Sequence, residues 1–188
     1  MDPLKAYLLA GLIAHKFVWE ILKRRAPAQA APKTKDLLAW VAKGAKLLIL
    51  FGLVAQAFLP DILPIAADAG PLRFAGAVLF TLGLAVALAA RIRLGEQWSD
   101  IEDAELRRDP RLVNSGVYRF LRHPIYSGDL ALLIGFELAV NSWLVLGALA
   151  LIPVVAQRAL GEEQVLAQSL PGYADYRRRV KGFIPFVF

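Results

Sequence analysis

The sequence predicts an all-α, polytopic membrane protein with five transmembrane helices, the last two forming a helical hairpin. Three observations carry this reading. Of the 188 residues, 57% are hydrophobic, above the usual share for a soluble domain. The apolar residues gather into runs close to the roughly 20 residues that cross a bilayer. The basic residues collect in the segments between alternate runs, as cytoplasmic loops do.

The first run, Leu4 to Leu22, lacks a small-residue cleavage site and continues into Lys23-Arg24-Arg25, so it reads as a span rather than a leader. Residues 26–35, rich in Ala and Pro, read as a flexible linker. The second run, Leu37 to Leu59, is closed by Pro60, and the third, Leu72 to Ala90, is opened by Pro71. The fourth, Ile125 to Val140, and the fifth, Trp143 to Leu160, are separated by Asn141-Ser142 alone, which makes them antiparallel. The fourth is short for a crossing at about 1.5 Å per residue, so the hairpin is expected to lean on other helices. The whole reads as one domain, 1–188, with three spans in residues 1–93 and a functional half in residues 94–188.

Charge sets the orientation. Seventeen of the 22 Lys and Arg residues fall in residues 23–35, 91–123 and 158–188, on one side of the predicted membrane. The positive-inside rule places that side in the cytoplasm of a bacterial inner membrane or its equivalent, with the N-terminus outside and the C-terminus inside. The net charge of +6 is then explained by loops beside a membrane, and nucleic acid is not an expected partner. With no cysteine and two histidines, His15 and His123, thiol chemistry is excluded and no metal site is expected.

The stretch GVYRFLRHPIYSG, Gly116 to Gly128, is the most unusual. Proline favours the first turn of a helix, and the residue before it is pushed to an extended backbone. His123 should therefore stand just outside the fourth helix, at the membrane surface. Helix N-termini attract anions, and Arg122 adds a guanidinium able to grip a carboxylate or phosphate through two hydrogen bonds. Arg119 reads as a residue reaching toward lipid headgroups. Glu162 and Glu163, just past the fifth run, are badly placed for a helix C-terminus, which prefers cations. Either they serve a ligand, such as a ribose diol or an amino group, or the helix runs on and they are solvated. Tyr173 and Tyr176 share a face if helical. They would roof a flat ring or belong to an interfacial aromatic belt.

LGEQWS (Leu94–Ser99), LVNSGVYRFLRHPIYSG (Leu112–Gly128), EEQVL (Glu162–Leu166) and YADYRRRVKGFIPF (Tyr173–Phe186), with Asn141-Ser142-Trp143 between, together resemble the isoprenylcysteine carboxyl methyltransferases and related small membrane phospholipid methyltransferases. The resemblance covers the second half of the chain. It implies an S-adenosylmethionine-dependent methyltransferase with a cytoplasmic cofactor pocket built by that half. The absence of a Gly-rich strand–helix fingerprint agrees with this. By the family's pattern, His123, Tyr126, Glu162 and Glu163 would contact the cofactor. Leu112, Val113, Gly116, Val117 and Tyr118 would edge the pocket, and Tyr173 and Tyr176 would close it. Arg122 and Glu163 would be catalytic, Arg122 by orienting the acceptor; Gln97 and Trp98 are further candidates. The acceptor would be a membrane-embedded lipid: the carboxylate of a prenylcysteine-like group, or alternatively the amine of phosphatidylethanolamine. A non-enzymatic membrane scaffold is the third reading. Oligomeric state is left open, since no Gly-x-x-x-Gly pattern occurs in the spans.

Four ionisable residues lie outside any family motif: Lys43 and Lys46 in the second run, Asp129 and Glu137 in the fourth. Charges within spans are costly and usually partnered. The expectation is that the lysines pair with the acids, or that Lys43 reaches the membrane surface.

Overall fold

The structure is a computed structural model that describes residues 2–25, 37–95 and 111–184. The described residues form six α-helices: α1 Pro3–Arg25, α2 Leu37–Phe58, α3 Gly70–Leu94, α4 Pro124–Ala139, α5 Val145–Ser169 and the short α6 Tyr173–Arg179. By length and composition, α3 and α5 qualify as membrane crossings. Large apolar side chains stand exposed along the bundle, among them Phe17 on α1, Leu48 and Phe51 on α2, Phe74 on α3 and Val154 on α5. Such continuous apolar surface is stable only against lipid or a partner.

The core runs between α1, α3 and α4. Leu8 and Leu12 of α1 meet Phe80 of α3 and Leu132 and Phe136 of α4, with Leu53 of α2 at the edge. Helices α3 and α4 form the most extensive pair, and glycine makes this possible. A Cβ on Gly76 would lie 2.3 Å from the Ala139 nitrogen, and one on Gly135 2.3 Å from the Phe80 nitrogen. Gly83 and Gly128 face Leu132 and Ala87 in the same way, so the two backbones touch along an antiparallel seam. Gly76 and Gly83, like Gly128 and Gly135, are seven residues apart, so each pair falls on one helical face. The expected support for the short fourth helix is therefore α3.

The end of the bundle holding the N-terminus is closed by polar contacts. Lys5 donates to the Leu59 carbonyl (2.6 Å) and lies 3.4 Å from Asp61. Arg73 pairs with both Asp61 and Asp2. Asn141, in a left-handed conformation with φ 58°, turns the chain between α4 and α5 as the sequence predicts. Its side-chain oxygen accepts from the Ile65 and Ala66 amides (3.2 and 3.0 Å), binding the turn to the α2–α3 loop. Burial pushes the Asp61 carboxyl up, but Arg73, the Asn141 amide and Lys5 outweigh it and hold it below the ordinary carboxylate range.

Two expectations are corrected. Helix α5 does not stop near Leu160; it continues to Ser169, so Glu162 and Glu163 lie inside it rather than beyond its end. Gly161 costs a helix interior only about 1 kcal/mol, and the next proline is Pro171. Nor, among the described residues, are the lysines of α2 the partners that the acids of α4 find. Glu137 accepts from the Gln56 amide (3.1 Å), Asp129 pairs with His15 (3.0 Å), and Lys43 lies over the Trp40 ring. Residues 26–35, Gln97, Trp98 and Phe186 lie outside the described residues.

Candidate active site at the mouth of the fourth helix

The candidate site is assembled where α4 begins, at the end of the bundle opposite the N-terminus. Pro124 opens α4 and His123 caps it with a backbone outside the helical region, φ −120° and ψ 53°. The backbone before it is extended enough to pair with the tail. Arg122 donates its amide to the Lys181 carbonyl (2.8 Å) and His123 donates to that of Gly182 (3.0 Å). Ser127 Oγ adds a bond to the Phe183 carbonyl (2.8 Å). These bonds bring residues 181–183 over the helix mouth.

Glu163 is the centre of the arrangement. Its side chain is 3% exposed, and Oε1 accepts from Arg122 Nε (2.8 Å) and His123 Nε2 (2.9 Å). Arg177 Nε of α6 lies 3.1 Å from Oε2, without the alignment of a hydrogen bond. Consecutive helical residues point about 100° apart, so Glu162 faces another neighbour. It accepts a hydrogen bond from the Tyr126 hydroxyl of α4. The two carboxylates that sit awkwardly in the sequence thus bind α5 to α4 and to the tail. Arg122 is also engaged as a clamp: Nη1 donates to the Arg177 carbonyl (3.1 Å) and to that of Val180.

Aromatic rings complete the site. His123 stacks between Tyr126 and Phe183, with ring centres 5.8 and 5.3 Å away. Tyr173 and Tyr176 are both buried, pack edge to face on each other and cluster with Leu170, with Leu112 beside them. They are therefore interior residues and not an interfacial belt. The Tyr176 hydroxyl donates to the Tyr118 carbonyl (2.7 Å), fixing α6 against the 3-10 turn Gly116–Arg119. Burial raises all three phenols: Tyr176 to about 12, Tyr118 and Tyr173 beyond it. At neutral pH all three phenols stay protonated.

Of the predicted residues, Arg122, His123, Tyr126, Glu162, Glu163, Tyr173 and Tyr176 come together directly, and Leu112 and Tyr118 pack on this cluster. Gly116, at φ 63°, and Val117 are in the adjoining turn. Val113 is half-buried beside it. Arg119 is exposed, as its reading as a headgroup-facing residue requires. Sequence reading overlooked Arg177, Ser127 and Phe183. Arg177 follows Tyr176 directly, and its charge beside a buried ring was the available signal.

Comparison with known proteins places the chain in a family. Residues 72–171 match the family model described as phospholipid methyltransferase. The chain belongs to the phospholipid methyltransferase family. The match opens in α3, earlier than the resemblance beginning at Leu94, and stops before α6. Protein-S-isoprenylcysteine O-methyltransferase of Schizosaccharomyces pombe is 28% identical over 109 residues, covering 56% of this chain and 46% of that protein. Protein-S-isoprenylcysteine O-methyltransferase B of Arabidopsis thaliana is 31% identical over 117 residues, covering 60% and 58%. The cobalt-zinc-cadmium resistance protein CzcN of Cupriavidus metallidurans is 34% identical over 114 residues, covering 57% and 50%. The chain spans about half the length of the curated relatives it matches. Its fold is similar to that of the eukaryotic intramembrane Ras methyltransferase ICMT, with a TM-score of 0.60 at 20% identity, covering all of this chain and 69% of that one. The expected kinship with isoprenylcysteine carboxyl methyltransferases therefore holds.

Proposed function

We propose that this chain is an S-adenosylmethionine-dependent methyltransferase acting on a lipid-like acceptor embedded in the membrane. Its acceptor group is the carboxylate of an isoprenylcysteine-type molecule. The carrying observation is the convergence of Arg122 Nε (2.8 Å) and His123 Nε2 (2.9 Å) on Oε1 of the buried Glu163, under a tail that closes over the start of α4. In this reading α1, α2 and α4 join α3 and α5 as crossings. The site faces the cytoplasm, the N-terminus faces outward, and water-soluble donor meets bilayer-held acceptor at the inner surface.

The residues suit the donor chemically. Oε2 of Glu163 is buried without a hydrogen-bond donor, and Glu162 offers a second carboxylate within one residue. Together they would receive a ribose diol or an amino group, which both need acceptors. Tyr126, His123 and Tyr173 would supply flat walls for a purine, with Leu112, Val113, Gly116, Val117 and Tyr118 as the rim. S-adenosylmethionine supplies an electrophilic methyl group on a sulfonium.

The remaining work is positioning. A carboxylate acceptor is already ionised at neutral pH, so no base is required, in keeping with phenols that stay protonated. Among the described residues, the bonds of Arg122 use Nε and Nη1, which leaves Nη2 to hold the acceptor carboxylate in line. Glu163 acts by fixing that guanidinium and the His123 ring. Such alignment can supply several kcal/mol of a displacement barrier, on the order of 7 or more in well-oriented systems.

The experiment is a pair of measurements on the full chain in lipid nanodiscs. Calorimetric binding of S-adenosylmethionine is expected, and its absence would leave the scaffold reading. Labelled methyl should pass to a farnesylated cysteine carboxylate in preference to phosphatidylethanolamine; the reverse preference would replace the carboxylate with an amine.

A further inference from the structure

His15 and Asp129 make a second polar site that the machinery above does not use. They come from α1 and α4, 114 residues apart, and their side chains meet at 3.0 Å through Nε2 and Oδ1. The His15 ring is held in place by stacking on Trp19, with centres 4.2 Å apart and planes 22° from parallel. Trp19 in turn lies under the Arg91 guanidinium. The pair is not sealed: its side chains are 23% and 41% exposed. By contrast, the other polar pair on α4, Glu137 with Gln56, is buried at 5% each.

We propose that His15 and Asp129 form an acceptor subsite that reads an N–H group beside the methylated end of the lipid-like acceptor. Asp129 lies three residues after Tyr126, on the same face of α4, and so about one turn, or ~5 Å, further into the apolar section than the Tyr126–Glu162 pair. Ionisable groups in such a section are costly and are usually retained for function. Among the described residues, no other hydrogen bond or ion pair reaches either side chain. Among the described residues, Asp129 Oδ2 therefore has no protein donor, and it is exposed enough to meet a ligand. A neutral His15 ring that donates through Nε2 leaves Nδ1 as an acceptor as well. Two spare acceptors select a donor, so the subsite takes an amide N–H or an ammonium and discriminates against ester or thioether oxygen and sulfur. In an acceptor drawn from the bilayer, that group would sit next to the carboxylate held by Arg122.

This subsite rests on the methyl-transfer reading, and the test separates the two. The full chain is assayed with N-acetyl-S-farnesylcysteine and with 3-(farnesylthio)propionate, which keeps the thioether and carboxylate but lacks the amide. The wild-type protein is expected to favour the amide-bearing acceptor by roughly tenfold in kcat/KM, the scale of one hydrogen bond to a charged group. In Asp129→Ala and in His15→Phe, which keeps the stacking on Trp19, the preference should collapse while the Kd for S-adenosylmethionine holds. Equal use of both acceptors by the wild-type protein would overturn the subsite without any variant, as would a preference that survives both substitutions. Failure to bind S-adenosylmethionine at all would bring down the methyl-transfer reading and the subsite with it.

Discussion

Substituting Gly135 by alanine tests the seam that carries the site. The new Cβ would lie 2.3 Å from the Phe80 nitrogen and 2.8 Å from both the Phe80 Cα and the Gly76 oxygen. Ordinary contact begins near 3.4 Å, so α3 and α4 must separate by 3.4 − 2.3, about 1.1 Å. The obstacle is backbone, and no rotamer change relieves it. Overpacking of this kind costs about 1–3 kcal/mol, and separating the helices also loosens the Gly76, Gly83 and Gly128 contacts along the seam. Alanine's better helix propensity returns about 1 kcal/mol at most. The net expectation is a loss on the order of 2 kcal/mol, measured as a shift in the unfolding midpoint in mixed micelles. Gly52→Ala in α2 is the control, since no atom lies within 4 Å of its added Cβ; it should be neutral or slightly stabilising. Equal stability of the two variants would refute backbone contact between α3 and α4.

Glu163→Gln removes the charge shared by Arg122, His123 and Arg177. Breaking one side of a buried ion pair costs about 3–5 kcal/mol, but Arg122 is 15% exposed and keeps its carbonyl partners, so about 2 kcal/mol is expected. The tail should then be cleaved faster in limited proteolysis, and S-adenosylmethionine should bind at least ~10-fold more weakly, one decade being about 1.4 kcal/mol. Unchanged values for both would remove Glu163 from its central role. At the opposite end, the carboxyl of Asp61 has a lowered pKa, so its contribution is present above the unfolded value of about 3.9 and is lost as pH falls through the folded value. Thermal stability should hold from neutral pH to about 5 and fall below about 4, and Asp61→Asn should flatten that step; an unflattened profile would place the acid sensitivity elsewhere.

Much of the site was legible because its chemistry is local. Arg122-His123-Pro124 announces a polar helix mouth by residue type and backbone preference alone, and Glu162-Glu163 stands out against an apolar helix. Partnership between helices was not legible. Spacing tells which residues share a face, yet the rotation of each helix about its axis decides what that face meets. Hence Asp129 found His15 of α1, and Glu137 found Gln56 of α2, in place of the lysines. The end of α5 was misjudged because Gly161 and two carboxylates look like a stop, while the contacts that compensate them come from the distant α4 mouth and tail. The glycine seam was missed for a different reason. Its glycines are seven residues apart, a spacing that the four-residue Gly-x-x-x-Gly pattern does not reveal.

The most direct measurement concerns where the donor binds. Methyl-labelled S-adenosylmethionine is crosslinked to the full chain by ultraviolet light, and the adduct is mapped by peptide mass spectrometry. Labelling should fall within residues 112–126 or 162–176. Labelling confined to α1 or α2, or none at saturating donor, would contradict a donor site at the mouth of α4.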